Sequence, residues 1–159
     1  MDKLTPCLWF ATEAEEAVRF YVTLLPDSDI VHVLRSPIDN PASKAGAALL
    51  IGFTLAGRPF LALNGGQAMP RSHSFSFSVS CQDQAELDHL WSRLTENGGA
   101  EVQCGWLTDR YGYSWQIAPE VLPAMLADPD RERAGRVMRA MMGMVKLDIA
   151  ALQRAYDGG

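Results

Sequence analysis

Leu4-Thr5-Pro6-Cys7-Leu8-Trp9-Phe10-Ala11-Thr12-Glu13-Ala14-Glu15-Glu16-Ala17-Val18-Arg19-Phe20 and Phe75-Ser76-Phe77-Ser78-Val79-Ser80-Cys81-Gln82-Asp83-Gln84-Ala85-Glu86-Leu87-Asp88-His89-Leu90-Trp91 are two versions of one pattern. Each is an alternating strand that runs into an amphipathic helix, and each is followed by further strands. Laying Phe20 on Trp91 also brings Ala14-Glu15 onto Ala85-Glu86 and Leu8 onto Val79. A strand–helix–strands unit cannot bury its apolar side alone, so the repeat predicts two similar modules that face each other, with a cleft between the halves.

Outward from the first copy, Leu4–Phe10 reads as a strand. Thr12 is the N-cap candidate of the following helix, with Glu13, Glu15 and Glu16 at its positive end. The helical apolar face is Ala14, Ala17, Val18, Tyr21 and Leu24-Leu25, stopped by Pro26-Asp27-Ser28. Asp29–Arg35 alternates as a strand, and a Pro/Gly/Ser-rich loop runs from Ser36 to Gly46. Ala47–Leu55 and Arg58–Leu63 form a hairpin about Ala56-Gly57. Asn64–Pro70 is the linker.

The second copy restarts with strand Ser72–Cys81 and helix Asp83–Glu96, whose apolar face is Leu87, Leu90, Trp91 and Leu94. Asn97-Gly98-Gly99 ends that helix. Short strands are expected near Ala100–Cys104, Trp106–Thr108 and Tyr113–Ala118. Helical patterns then cover Val121–Ala127, Asp130–Met142 and Leu147–Tyr156, with no counterpart in the first half. The organisation expected is a first module over 1–64, a second over 71–119 and a helical extension over 120–159, in one structural domain overall.

The hydrophobic share of 48% and charged share of 21% in 159 residues fit an ordinary globular protein. A net charge of −5 argues against nucleic acid or an anionic membrane as partner. No apolar run reaches the roughly 20 residues of a membrane span, and Met1–Pro6 lacks the apolar core of a signal peptide. Cys7, Cys81 and Cys104 are odd in number and scattered, which reads as reduced thiols in a cytoplasmic protein.

Ser74 to Cys81 alternates strictly, sending Phe75, Phe77, Val79 and Cys81 to one face and Ser74, Ser76, Ser78 and Ser80 to the other. The apolar face is expected on the Leu87/Trp91 helix. The serines either line a concave site, where small hydroxyls leave room for a ligand, or form a solvent-facing strand surface. By the same alternation, Ser114 and Gln116 point away from Trp115 and Ile117. A glutamine in a concavity orients a polar ligand, or it bonds a neighbouring backbone.

Ala17-x-x-Phe20-Tyr21-x-x-Leu24-Leu25-Pro26-Asp27-Ser28, Leu87-x-x-Leu90-Trp91 and Asp109-Arg110-Tyr111-Gly112-Tyr113-Ser114-Trp115-Gln116-Ile117 together resemble the signature of the PhnB-like, 3-demethylubiquinone-9 3-methyltransferase-like group. That group belongs to the vicinal-oxygen-chelate superfamily, with glyoxalase I, extradiol dioxygenases and drug-resistance proteins. The resemblance covers roughly Leu4–Pro119, and the tail with Ala140–Met144 and Lys146–Leu152 is similar to one subset of the group. It implies an α+β fold of paired βαβββ modules forming a curved mixed sheet around a cavity, as a homodimer.

Metal-using relatives carry His or Glu on the first and last strands of each module. Carried over, those positions fall near Thr5–Pro6, Leu61–Ala62, Ser76 and Gln116, which offer no His, Asp, Glu or Cys. A divalent site needs several N, S or charged O ligands converging, so no metal and no other cofactor is expected. Strand counting puts His73 on the Phe75/Phe77 face or at the strand's start, outside the serine stripe. His32 and His89 read as ordinary surface or packing residues. No Gly-rich turn opens a helix after a strand, as a doubly wound S-adenosylmethionine site would require. Cys7 has no nearby His or cation to make it a nucleophile. Arg131, Arg133, Arg136 and Arg139 interleave with acids as a solvated helix face. Met138, Met141, Met142 and Met144 form an adaptable apolar patch for docking onto the core or a partner subunit.

The function expected is binding of a small, partly aromatic molecule without a metal, among Cys7, Trp9, Ser76, Ser78, Trp106 and Gln116. The alternative is an enzyme on the same scaffold, a lyase, isomerase or methyltransferase-like transferase. A third reading is an interaction role through the methionine-rich tail.

Overall fold

The computed structural model describes residues 3–159, so Met1 and Asp2, with the first two positions of the expected first module, lie outside the described residues. The chain divides into two compact units after Pro70. In the first, the order is β1 (Cys7–Phe10), α1 (Ala14–Tyr21), β2 (Asp29–Arg35), β3 (Ala48–Leu55) and β4 (Arg58–Asn64). The sheet order is β1-β4-β3-β2, with β1 parallel to β4 and the other pairs antiparallel.

The second unit repeats this with β5 (Ser76–Cys81), α2 (Gln84–Thr95), β6 (Ala100–Glu101), β7 (Trp106–Thr108) and β8 (Ser114–Pro119). Its order is β5-β8-β7-β6, with β5 parallel to β8. Both units are therefore βαβββ modules in an α+β protein, and helices α3 (Leu122–Leu126), α4 (Arg131–Met142) and α5 (Ile149–Asp157) extend the second.

Helix α1 buries Ala14, Ala17, Val18 and Tyr21, and α2 buries Leu87, Leu90, Trp91 and Leu94. These are the faces that the helical spacing selects. Each large apolar side chain so removed from water contributes about 1.5–3 kcal/mol. The helix starts are built differently. Asp83 caps α2 by accepting from the Glu86 backbone N–H at 2.9 Å, while the Glu86 carboxylate accepts from Gln82 N–H at 2.7 Å. Thr12 does not cap α1. The Ala14 N–H donates instead to Asn64 Oδ1 at 2.9 Å, and Asn64 Nδ2 donates to the Ala48 carbonyl at 2.9 Å. Asn64 is thus the buried last residue of β4, where sequence reading begins the linker.

Other boundaries shift for local reasons. Helix α1 ends at Tyr21 rather than carrying on to Leu24-Leu25, although Leu24 remains buried. Strand β6 keeps only Ala100–Glu101 of the expected Ala100–Cys104, because Cys104 turns to φ 61. The β3–β4 turn places Ala56 at φ 48 and Gly57 at φ 71, as a tight hairpin demands. It is held by Ala56 N–H on Ser28 Oγ at 2.9 Å and Gly57 N–H on the Asp27 carbonyl at 2.8 Å.

The extension docks on its own chain's second module. Cys104 and Gly105 N–H donate to the Met144 and Val145 carbonyls, each at 2.8 Å. Leu147 is fully buried over Gly105. Gln84 holds both sides of it, donating to the Leu147 carbonyl at 3.2 Å and accepting from Ile149 N–H at 2.9 Å. Docking rests on Val137, Leu147 and Leu152, all buried, while Met138 and Met142 are exposed. Arg136 is more than a solvated charge, since it donates to the Ala155 and Tyr156 carbonyls at 2.8 and 2.9 Å at the C-terminal end of α5.

Candidate functional site

Strands β5, β8 and β7 align their polar residues in rows. Ser76 lies beside Ser114, and Ser114 beside Thr108; Ser78 lies beside Gln116, and Gln116 beside Trp106. Four of the six residues singled out from sequence, Ser76, Ser78, Trp106 and Gln116, therefore share one face of one sheet. The other face carries Phe77, Trp115, Leu107 and Ile117, which are buried with α2 packed against the sheet. Phe77 and Trp115 stack at 4.3 Å between ring centroids. Serine alternation thus has the polarity expected, with Phe77 and Cys81 inside and Ser78 and Ser80 exposed. Phe75, expected inside, lies before the strand and is 43% exposed.

Gln116 is fixed by one hydrogen bond, from Nε2 to Ser76 Oγ at 2.8 Å. A primary amide can make four, so its carbonyl oxygen stays available, in the row that Gln116 shares with Trp106. His73 corrects the strand count. Because β5 begins only at Ser76, the preceding residues turn, and His73 Nδ1 lies 2.8 Å from the buried Ser114 Oγ. The imidazole stands edge-on to Trp106, 5.8 Å between centroids. His73 therefore joins the serine face by side-chain reach, which alternation along a strand cannot reveal.

The loop into β8 is set by Asp109, 2% exposed. One carboxylate oxygen accepts from Tyr111 and Tyr113 N–H at 2.9 and 3.0 Å, and the other from the Trp115 indole at 2.9 Å. This acid organises the loop between the two strands that carry Trp106 and Gln116.

Cys7 and Trp9 lie on β1, in the first unit, on the sheet face opposite to Leu8 and Phe10, which are buried. Cys7 pairs with Leu61 and Trp9 with Leu63. Trp9 Nε1 donates to the Gln67 carbonyl at 2.8 Å, and its ring covers Gly65 so closely that a Cβ there would fall within the indole. Although Cys7 is exposed as a residue, the surroundings of its sulfur desolvate it and push the thiol up. Burial, then Glu86 and Asp83, push Cys81 up to about 12. Neither thiol is activated as a nucleophile.

Among the described residues, no three His, Cys, Asp or Glu side chains converge in a way that could hold a metal ion. The residues at the positions carried over from metal-using relatives, Thr5, Leu61, Ser76 and Gln116, supply neutral oxygens or hydrocarbon. That donor set does not fit a divalent cation. No helix among the described residues is long and apolar enough to cross a membrane.

No curated protein matches the chain. A protein from Pseudomonas aeruginosa is similar in fold, at 21% identity over 75% of this chain and 98% of that one, with a TM-score of 0.60. The PhnB protein from Bacillus cereus is 31% identical over 74% of this chain and 99% of that chain, with a TM-score of 0.65. Residues 2–118 match the family described as 3-demethylubiquinone-9 3-methyltransferase. With both modules inside that match and the same βαβββ order in each, this chain belongs to that family, the PhnB-like group of the vicinal-oxygen-chelate superfamily.

Proposed function

We propose that the chain is a metal-independent small-molecule-binding protein, working as a cytoplasmic homodimer, whose ligand lies on the polar face of the second sheet. The observation that carries this reading is Gln116, anchored through its amide nitrogen to Ser76 and flanked in its row by Ser78 and Trp106. A planar ligand stacks on Trp106 while the Gln116 carbonyl and the Ser78 hydroxyl read its polar edge. Metal independence is supported by the neutral donor set at the family's ligand positions. Cys7 and Trp9 supply the corresponding face of the first module.

The family's description as a methyltransferase favours a second reading, an enzyme on this scaffold. Its cofactor would need an unfamiliar site, because Ala11–Glu13 before α1 and Gln82–Asp83 before α2 contain no glycine. Native mass spectrometry of freshly purified protein, beside elemental analysis, separates the readings. The expected species is twice the 17.5 kDa chain with a co-purified organic molecule and no stoichiometric metal. Gln116→Leu is expected to lose that molecule while melting unchanged. Stoichiometric zinc, nickel, iron or manganese, or undiminished binding in Gln116→Leu, overturns the proposal.

A further inference from the structure

On the first sheet, Cys7, Leu61, Gly52 and His32 form one cross-strand row over β1, β4, β3 and β2. Within this row the residue without a side chain, Gly52, is the neighbour of the imidazole of His32. A Cβ on Gly52 would fall within the His32 ring, meeting Cε1, Nδ1 and Nε2 first. The nitrogen-bearing edge of His32 therefore lies down across β3 instead of standing away from the sheet. Gly52 is not among the positive-φ residues, so space rather than backbone conformation calls for glycine here.

The lowered ring walls a cavity of about 510 Å³ contained within the first module. That volume is of the size that small-ligand sites occupy. Val31, Pro59, Phe60 and Leu61 give it hydrocarbon walls, and Thr5 brings a hydroxyl. His32 is the one ionisable lining residue. Neither the Thr5 hydroxyl nor the two ring nitrogens of His32 have a hydrogen-bond partner among the described residues. An apolar pocket whose wall carries an unused imidazole suits a ligand with a hydrocarbon body and one acceptor-rich end.

We propose that this cavity binds a compact hydrophobic carboxylic acid, with its carboxylate on His32 and its hydrocarbon body on Val31, Pro59, Phe60 and Leu61. All the lining residues of this site belong to the first module, and its test is independent of the test of Gln116. A lone imidazole suits a carboxylate better than a phosphate, whose higher charge calls for guanidinium or several backbone donors.

The test is isothermal titration of the full chain with 2-naphthoate and with its neutral isostere 2-naphthamide. Wild type is expected to bind the carboxylate about tenfold more tightly, the margin of a charge-assisted hydrogen bond over a neutral one. His32→Leu, at an exposed position, is expected to keep its melting temperature and naphthamide affinity and to lose the preference. Gly52→Val, which takes the space of the imidazole, is expected to lose it as well. Equal affinity for the two probes in wild type, a preference that survives His32→Leu, or no binding of either at millimolar concentration overturns the proposal. Loss of naphthoate binding in Gln116→Leu with none in His32→Leu also overturns it, and supports the second-module site instead.

Discussion

Asp109→Asn keeps the size of a buried side chain and removes one of its two acceptors. In the native loop one carboxylate oxygen takes two backbone N–H groups, from Tyr111 and Tyr113, and the other takes the Trp115 indole N–H. Asparagine has one oxygen and one NH2. If the oxygen faces the backbone, NH2 meets the indole donor; if it faces the indole, NH2 meets two backbone donors. Neither orientation satisfies the set. A buried donor left unpaired costs about 1–3 kcal/mol, and hydrogen bonds to an ionised acceptor are the stronger ones, so a loss of about 2–3 kcal/mol is expected. For a chain of this length that corresponds to a fall in melting temperature of roughly 4–12 °C.

The assay is thermal unfolding followed by near-ultraviolet circular dichroism, with the Trp115 indole N–H resonance as local reporter. Trp115 is fully buried and stacked on Phe77, so loss of its anchor registers in both signals. Asp109→Ala, which removes both acceptors, is expected to melt lower still. A melting temperature within about 1 °C of wild type, with the indole resonance unmoved, would refute the account of Asp109 as organiser of the β7–β8 loop.

Leu147→Ala should cost about 2–5 kcal/mol, the range for a buried leucine whose site cannot collapse, and hydrogen exchange should quicken selectively over residues 144–157; uniform protection would mean that the extension is not held through Leu147. The Asp88 carboxyl is held below its ordinary range first by the hydrogen bond from Lys146 and then by that from Gln84. Its contribution is therefore complete above the ordinary carboxylate range and is lost as pH falls through its lowered value, below about pH 4. Asp88→Asn should melt slightly lower than wild type at neutral pH, with the difference closing in acid. The pair is exposed, so the effect is small, and a gap that widens in acid would contradict this sign.

The elements legible in the sequence were those whose cause is local. Helices α1 and α2 announce themselves through spacing, although their starts do not, since Thr12 caps nothing and Asp83, read as the first helical residue, is the cap of α2. The paired βαβββ modules followed from the repeat and the resemblance, whereas the order β1-β4-β3-β2 is written in no strand's own residues. What sequence did not reveal depends on distant partners. Asn64 looks like the first residue of a Gly-rich linker, and only the fold brings its amide to Ala14 and Ala48. His73 is assigned away from the serine face by counting, yet it reaches Ser114 because the chain turns before β5 starts. Arg136 among alternating charges gives no sign that α5 ends against it. His32 and Gly52 are twenty positions apart in sequence, and their interlock follows from the β2–β3 register, which a bulge after Ile30 shifts.

The two modules share a topology and differ in chemistry, and the difference tracks their surroundings within each unit. On the first sheet the face away from α1 carries Cys7, Trp9, Leu61, Leu63 and Leu50, with Gly52 and His32 as its interruption. On the second, the corresponding face carries Ser76, Ser78, Ser114, Gln116 and Thr108 around Trp106. A duplicated fold with identical duties on both sheets would have kept similar residues at similar rows. Here Cys7 and Ser78 occupy matched positions on first strands, yet one row runs through leucine and glycine to an imidazole and the other through glutamine to an indole. Hydrocarbon against one ionisable group favours apolar acids, whereas hydroxyls and an amide around an aromatic ring favour neutral polar planes. The second module alone bears the helical extension, locked at Gly105, one residue before Trp106, by the Val145 carbonyl and Leu147. That bracing holds the strand of Trp106, and the residues that specialise each face can be altered separately and tested separately.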